Sequence, residues 1–586
     1  MVRKIRPDWL LALLIALFIA WRVVLLVWSP FVFDEEEYKT GSIAHLVMTG
    51  PQLPVIELTP GDYEGGTLIA GLLAIPFFAL LGHNFIALKM VAVSFSLLLL
   101  VSIYLLTKKL AGRTAAGIAG ASLILAPPYI SQITLLPWGN YAEAAALSAL
   151  TFLVAAPMFE KGRRTPGLLM GLGFLTGLGT YIHYGYLAAP LTVCLMWLLR
   201  DRLRIFNWRM LLFILGVLIG FSPWIYYNVT HEFWGLERMT DAFIHQESSG
   251  LQGLVDRLQT TLYRFAHLWL SDLPAALHFR DSLGLSRKFW AYLWYVPALA
   301  ALVILTLQAR QGFRALVRNV SWPKAGFRSV IPLYLLVYAI VFSFTDYGLF
   351  RSGWQTLDPE SHAHIFVMLP WLAACLGFAA AWIIQNRKSK TLLVLLLAGP
   401  AIAGLVGQFS LLDLSSTQTK RLTAKAWDEG IIYVEIGSKW ARQPDRLWEI
   451  GQKLQPRQAG YFSFGAGIKF GLDMPDQIHK ALASCTAVES RYSPYCAIGI
   501  GTGIYQAANL DLHSRRQSIS ETPLELAPYV EAGAAIGEIW LDTAEGPYCY
   551  RVKSYDFSNI APQQERENLP RFIRLQLKMI EVLPPK

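Results

Sequence analysis

Four carboxylates stand in a row at Asp34-Glu35-Glu36-Glu37, between Phe33 and Tyr38. They repel one another, and one or two would be enough for solubility, so the run is either an acidic collar or a reactive site. It follows directly on the apolar stretch 9–29, where the chain leaves hydrocarbon. A carboxyl at such a low-dielectric rim has a raised pKa and becomes a competent proton acceptor. A second acid, Glu143, lies within an apolar run after Trp138-Gly139-Asn140-Tyr141-Ala142. An ionisable group there is costly and marks a candidate site, unless it only complements a helix N-terminus. Cations able to face an anionic substrate are Lys89, Arg280, Arg287, Lys288 and Arg351, with His362 and His364 ahead of Phe366-Val367-Met368-Leu369-Pro370. The aromatic group Tyr181, Tyr184 and Tyr186 reads first as an interface belt. No His-x-x-x-His or Cys-x-x-Cys spacing occurs, and the acidic run is equally consistent with a divalent cation or with none.

These residues need a scaffold that puts them at a membrane surface. Of the 586 residues 54% are hydrophobic and only 16% charged, too few charges to coat a water-exposed surface of that size. The chain is therefore read as a polytopic α-helical membrane protein. Apolar windows near 9–29, 85–107, 114–131, 141–157, 167–182, 184–199, 209–228, 289–308, 329–345, 363–385 and 391–411 are candidates to cross about 30 Å of hydrocarbon. The first follows Arg3, Lys4 and Arg6 and has no small-residue cleavage site, which makes it an uncleaved anchor. A twelfth run, 67–82, is short and carries Pro76. Charge excludes it. If it does not cross, the inner connectors hold 21 Lys and Arg against three acids, and the rest of 1–411 holds 10 basic and 18 acidic residues. The positive-inside rule selects that arrangement: about eleven spans, with outer loops 30–84, 229–288 and 346–362. The formal charge of +10 lies wholly in this half, since 412–586 is neutral, so it sets topology and does not imply nucleic acid.

Asp34-Glu35 with Tyr38, then Ile43-Ala44-His45-Leu46-Val47 and Gly50, resemble the Asp-Glu-x-x-Tyr opening of GT-C membrane glycosyltransferases. The likeness is to the protein O-mannosyltransferase and lipid A aminoarabinose transferase branch, glycosyltransferase family 39-like. The segment Ile75 to Lys89 is similar to that family's apolar interfacial helix and Phe-Gly-x-x-x-x-Ala-Arg-Leu run, with Lys89 where Arg is usual. The resemblance covers residues 5–200 well and 200–411 loosely; the tail is outside it. It implies inverting transfer of a sugar from a polyprenyl-phosphate donor to a glycan, lipid or protein acceptor, with no cofactor and no metal. An acceptor hydroxyl is a poor nucleophile and needs a positioned base, while the departing phosphate needs cations. On this likeness Asp34 is the base and Glu35 orients it or shares the role. Glu143 is a supporting acid where the family generally has Asp. Tyr38, Lys89, Arg351 and His364 are donor or phosphate contacts. Glu37 departs from the pattern, standing where some aminoarabinose transferases carry a basic residue; Lys39 is one helical position away.

The tail, 412–586, is polar enough for a soluble domain. Tyr461, Tyr495 and Tyr529 are 34 residues apart, as are Gly465, Gly499 and Gly533. That period suggests helical hairpins stacked as a short α-solenoid, in which helix glycines mean close approach. A Gly-x-Gly phosphate loop competes weakly, since no strand precedes it. A Cys485–Cys496 bond is possible outside the cytoplasm. The expectation is thus a multi-pass protein of the cell inner (plasma) membrane with an extracytoplasmic helical-repeat domain at 412–586 and a catalytic membrane domain at 1–411. A transporter or flippase for lipid-linked glycans is the alternative; it tends to place charges at the midplane, whereas here they gather at one face.

Overall fold

Twenty apolar residues without a break form the first helix, α1 (Trp9–Trp28), about 30 Å long at 1.5 Å per residue. The computed structural model describes residues 8–34, 36–59, 65–161, 165–202, 208–237, 250–318, 324–345, 362–386, 390–424, 427, 430–485, 492–507, 512–527, 529–531, 533–534 and 536–537. Among them secondary structure is helical throughout, apart from one isolated bridge, Ser282–Leu285. The chain divides into two units, Met1–Thr40 with Tyr63–Lys425, and Gly41–Asp62 with Ala426–Lys586.

In the first unit α1 is followed by a 3-10 turn, Pro30–Val32, and by α2 (Glu36–Thr49), inside which the chain passes to the second unit. It returns to form α3 (Gly66–Leu81), α4 (Phe85–Ala111), α5 (Arg113–Ile124), the short α6 (Pro128–Ile133), α7 (Tyr141–Lys161), α8 (Pro166–Ile182), α9 (Ala188–Asp201) and α10 (Trp208–Thr230). After these come α11 (Gly250–His267), α12 (Arg287–Arg318), α13 (Val330–Phe344), α14 (Leu369–Gln385) and α15 (Lys390–Phe409).

Eight helical stretches among the described residues are long and apolar enough to cross a membrane: those of α1, α4, α7, α10, α12, α13, α14 and α15. The expected count was eleven. The other three windows break or shorten for local reasons. Pro127-Pro128 ends the 114–131 helix after twelve residues, because proline lacks the N–H the helix needs. The window at 184–199 opens in a 3-10 turn, Tyr184–Leu187, leaving fourteen residues in α9. α8 has seventeen residues, about 25 Å.

α14 is buried on every side, as expected for the central helix of a bundle. Small residues set the closest contacts. A Cβ on Gly173 or Gly177 of α8 would lie 2.0 or 2.2 Å from the carbonyls of Phe213 and Val217, and one on Gly216 or Gly220 of α10 would meet Met170 and Phe174 at 2.2 and 2.3 Å. The two backbones touch directly, the packing that small-xxx-small patterns allow. The N-terminus of α3 is fixed similarly: Gly65 N–H donates to Tyr181 O at 2.8 Å, and Thr67 Oγ1 donates to Trp138 O at 3.0 Å.

The first unit extends past the expected boundary at 411. Asp413 N–H donates to Trp28 O at 2.8 Å and Gln418 N–H to Val27 O at 2.7 Å, while Leu411 and Leu422 pack with Leu25 and Leu26. The 412–424 segment thus closes the unsatisfied carbonyls at the end of α1.

In the second unit the tail forms α16 (Gly430–Trp440), α17 (Pro444–Gly451), α18 (Pro456–Asp473), α19 (Ile478–Ser484), α20 (Ser493–Gln506) and α21 (Leu512–Ser520). α17, α19 and α21 begin at 34-residue intervals. α16, α18 and α20 lie side by side through glycine: a Cβ on Gly437 would be 1.9 Å from Phe462 O, on Gly465 1.9 Å from Val434 O, and on Gly467 2.0 Å from Cys496 O. Gly499 and Gly501 carry the contact on to Phe464 O and Val530 O. Cys485 and Cys496 are joined by a disulfide that ties α19 to α20.

Candidate active site

The acidic run straddles the start of α2, and the helix terminus organises it. Asp34 Oδ1 accepts the N–H of Glu36 at 2.9 Å, and Asp34 N–H donates to Glu37 Oε1 at 2.8 Å. Asp34 thus caps the helix through the N–H two residues on, while the side chain three residues on reaches back to the Asp34 N–H, a variant of the capping box. Asp34 Oδ1 is therefore occupied, while Oδ2 accepts no hydrogen bond among the described residues. Burial pushes the Asp34 carboxyl up from its ordinary value, against the Glu36 N–H and the charges of Lys89 and Lys39, which pull it down. The Trp138 indole also acts on it, although its N–H is outside hydrogen-bond geometry.

Glu37 reaches in the opposite direction. Its Oε2 pairs with Lys89 Nζ at 2.6 Å, and both side chains are wholly buried. Lys89 Nζ also donates to the carbonyl of Val32 and lies 4.8 Å from the centre of the Phe33 ring. Burial raises the Glu37 carboxyl to about 7 against the pull of Lys89. The expected phosphate contact Lys89 is therefore engaged by Glu37 and Val32, and the pair clasps the Val32–Asp34 backbone from below. Tyr38 packs edge-on against Phe85 at 5.2 Å, and burial raises its hydroxyl to about 12, so it is neutral and can donate.

A second cluster forms where α7 begins. The Tyr141 ring lies edge-on to His183 at 5.0 Å and to His364 at 5.3 Å, and the two imidazoles stack at 6.0 Å. The hydroxyl of Tyr338 donates to the carbonyl of His364. Glu143, in the first turn of α7, is buried beside the backbone N–H groups at that helix end, and His183 is within its electrostatic reach. Trp138 adjoins both clusters, packing edge-on to Tyr141 at 5.8 Å.

A third group has no motif in the sequence. Tyr129 feels the charge of Asp34 and packs on His278 with ring centres 4.0 Å apart, tilted by 36°, and His278 Nε2 shares a hydrogen bond with His362 Nδ1 at 3.0 Å. Burial together with His362 and Arg280 lowers His278 to about 3, so its ring is neutral. Two residues on, the Arg280 guanidinium lies 3.5 Å over Phe31, just ahead of the acidic run. His278 sits at φ +52°, in the left-handed region. No composition signal announces that backbone, and the partners are 84 positions apart. Glu35 and Arg351 lie outside the described residues.

Asp34, Tyr38 and Lys89 are thus brought together, and Glu143 and His364 form a neighbouring cluster. Chemically, the first offers a proton acceptor with one open oxygen and the third offers a cation beside it.

No protein-family model matches the sequence, and no curated protein matches it. Solved structures similar to the chain include ArnT from Cupriavidus metallidurans bound to undecaprenyl phosphate, at 13% identity over 93% of this chain and 83% of that one, with a TM-score of 0.44. The Archaeoglobus fulgidus oligosaccharyltransferase in its apo form is similar at 13% identity over 74% of this chain and 57% of that one, with a TM-score of 0.39. The Archaeoglobus fulgidus oligosaccharyltransferase AglB, in complex with an inhibitory peptide and a dolichol-phosphate, is similar at 14% identity over 74% and 58%, with a TM-score of 0.38.

Proposed function

We propose that this chain is an integral-membrane glycosyltransferase of the GT-C kind, moving a sugar from a polyprenyl-phosphate donor to an acceptor at the outer face, with inversion and without a resident metal. The observation that carries this reading is Asp34. Its carboxyl is raised by burial, one oxygen is fixed by the helix terminus, and the other is left open. In the reaction, the acceptor O–H gives its proton to Asp34 Oδ2 as its oxygen bonds to the sugar C1. The C1–O bond to phosphate breaks, and the polyprenyl phosphate departs with that electron pair. The leaving phosphate needs a cation that is not already neutralised. Lys89 is held by Glu37, so its charge acts on Asp34. Arg280, exposed and stacked beside the acidic run, takes the phosphate role, with Arg351, Tyr38 and His364 as further donor contacts. Glu35 shares the base role, and Glu143 is a supporting acid beside the Tyr141–His183 pair.

The same proposal includes the topology: α5 with α6, α8 and α9 complete eleven crossings, and α3 lies at the interface. It places the protein in the inner (plasma) membrane and the tail, as a helical-repeat domain, outside the cytoplasm. The 34-residue spacing of α17, α19 and α21 supports the repeat reading.

Purified protein given a radiolabelled polyprenyl-phosphate sugar tests the activity. Wild type is expected to transfer label, and Asp34→Asn to lose about 10²–10⁴-fold in rate, the usual contribution of a general base. Asn can still accept the Glu36 N–H, so folding is spared. Full activity in Asp34→Asn rejects the base; movement of the intact lipid without transfer supports a flippase.

A further inference from the structure

The loop after the acidic run has its packing partner in the tail. Within the second unit the segment Gly41–Asp62 groups with Ala426–Lys586, and contacts among the described residues join them. Lys439 on α16, a buried residue, donates from Nζ to the carbonyl of Thr59 at 2.5 Å. Trp440 Nε1 donates to Glu57 Oε2 at 3.4 Å. At the other end of the segment, Gly41 lies against the Trp427 indole so closely that a Cβ would meet the ring at 2.1 Å. Ile43, Ala44 and Leu58 of the segment are fully buried. An ammonium is taken out of water only where partners compensate it, and the backbone of this loop is one that Lys439 uses. The loop is folded into the tail.

The chain enters this unit within α2. Glu36 and Glu37, which cap and clasp Asp34, stand on the first turn of the helix whose next turn contains Gly41. We propose that the tail is a positioning element for the candidate base: by folding on 41–59 it fixes the body of α2, and the continuous helix carries that constraint to the turn that holds Asp34. Gly41, Trp427 and Lys439 are then positioning residues, none of them touching substrate. The structural half of this proposal stands apart from the transferase reading; the rate half rests on it.

The test uses the full-length protein with Gly41→Leu, Trp427→Ala, their combination, Lys439→Met and Lys439→Arg. Amide exchange of 41–58, followed by mass spectrometry, is expected to accelerate about tenfold or more in Gly41→Leu and Lys439→Met. The Trp427→Ala partner, which makes room for the leucine, and Lys439→Arg, which keeps a donor, are expected to recover protection. In Gly41→Leu and Lys439→Met kcat falls about 10–100-fold while KM for the lipid donor stays within about twofold, because binding is spared and geometry is lost. Unchanged exchange in both Gly41→Leu and Lys439→Met overturns the loop–tail assignment. Faster exchange with unchanged kcat overturns the coupling to Asp34. If wild type transfers no sugar at all, the transferase reading fails, and the exchange arm still decides whether the tail holds the loop.

Discussion

Replacing Lys89 by methionine removes the charge that pulls the Asp34 carboxyl down, while keeping an apolar stem beside Phe33. The rate of a reaction driven by a base rises with pH as that base ionises. The acidic limb is therefore expected above the ordinary aspartate value of about 4, and Lys89→Met moves it higher still. Lys89→Arg keeps the charge and holds the limb in place. A phosphate-binding Lys89 would instead raise donor KM without moving the limb, and a pH series of kcat separates the two. Lys89→Met also strands the Glu37 carboxylate in the interior, a loss of about 3–5 kcal/mol. Adding Glu37→Gln, whose Oε1 still accepts from Asp34 N–H, is expected to recover most of the melting temperature. Glu143→Gln is the complementary experiment. The amide keeps the shape of this buried side chain, so a lower kcat with an unchanged donor KM reads as a supporting-acid role. Unaltered kinetics would leave Glu143 as a helix N-terminal charge.

The contact between α8 and α10 makes a sharp prediction. Gly177→Val inserts methyl groups where a Cβ alone would lie 2.2 Å from Val217 O. Overpacking of that kind costs about 1–3 kcal/mol, which a thermal melt in detergent detects. Gly171, with open space around it, should tolerate the same change. The helices themselves were readable: the run 9–28 carries one charge, Arg22, and its limits follow from Asp8 and from Ser29-Pro30. The stop at Pro127-Pro128 was missed, because hydropathy averaged across it and 114–131 was read as one span. The Asp34-x-x-Glu37 spacing is a capping signature that explains part of the acidic run. Side-chain partners were not readable. Glu37 meets Lys89 across 52 positions and His278 meets His362 across 84, and nothing local in either segment specifies its partner.

For the chain as a whole, the eleven-crossing arrangement puts the 108–113 and 158–166 connectors inside and Ser415 outside. A membrane-impermeant thiol reagent applied to intact cells should label Ser415→Cys, an exposed position, and miss Gly112→Cys and Lys161→Cys. Labelling at either inner position removes the arrangement and moves the acidic run to the other face. Domain limits were the least legible feature at this level. Hydropathy places the change at 411, but the contacts carry 412–424 back to the end of α1 and give Gly41–Asp62 to the tail.

That last assignment also bears on how the protein is made. A ribosome delivers Gly41–Asp62 early and must add more than 360 further residues before Ala426 emerges. At about 5–20 residues per second, the loop waits about 20–70 s for its partner. Through that interval Ile43, Ala44 and Leu58 have no tail to fold on, so a nascent chain offers a chaperone a hydrophobic loop. Truncated products of interrupted translation would share that exposed loop.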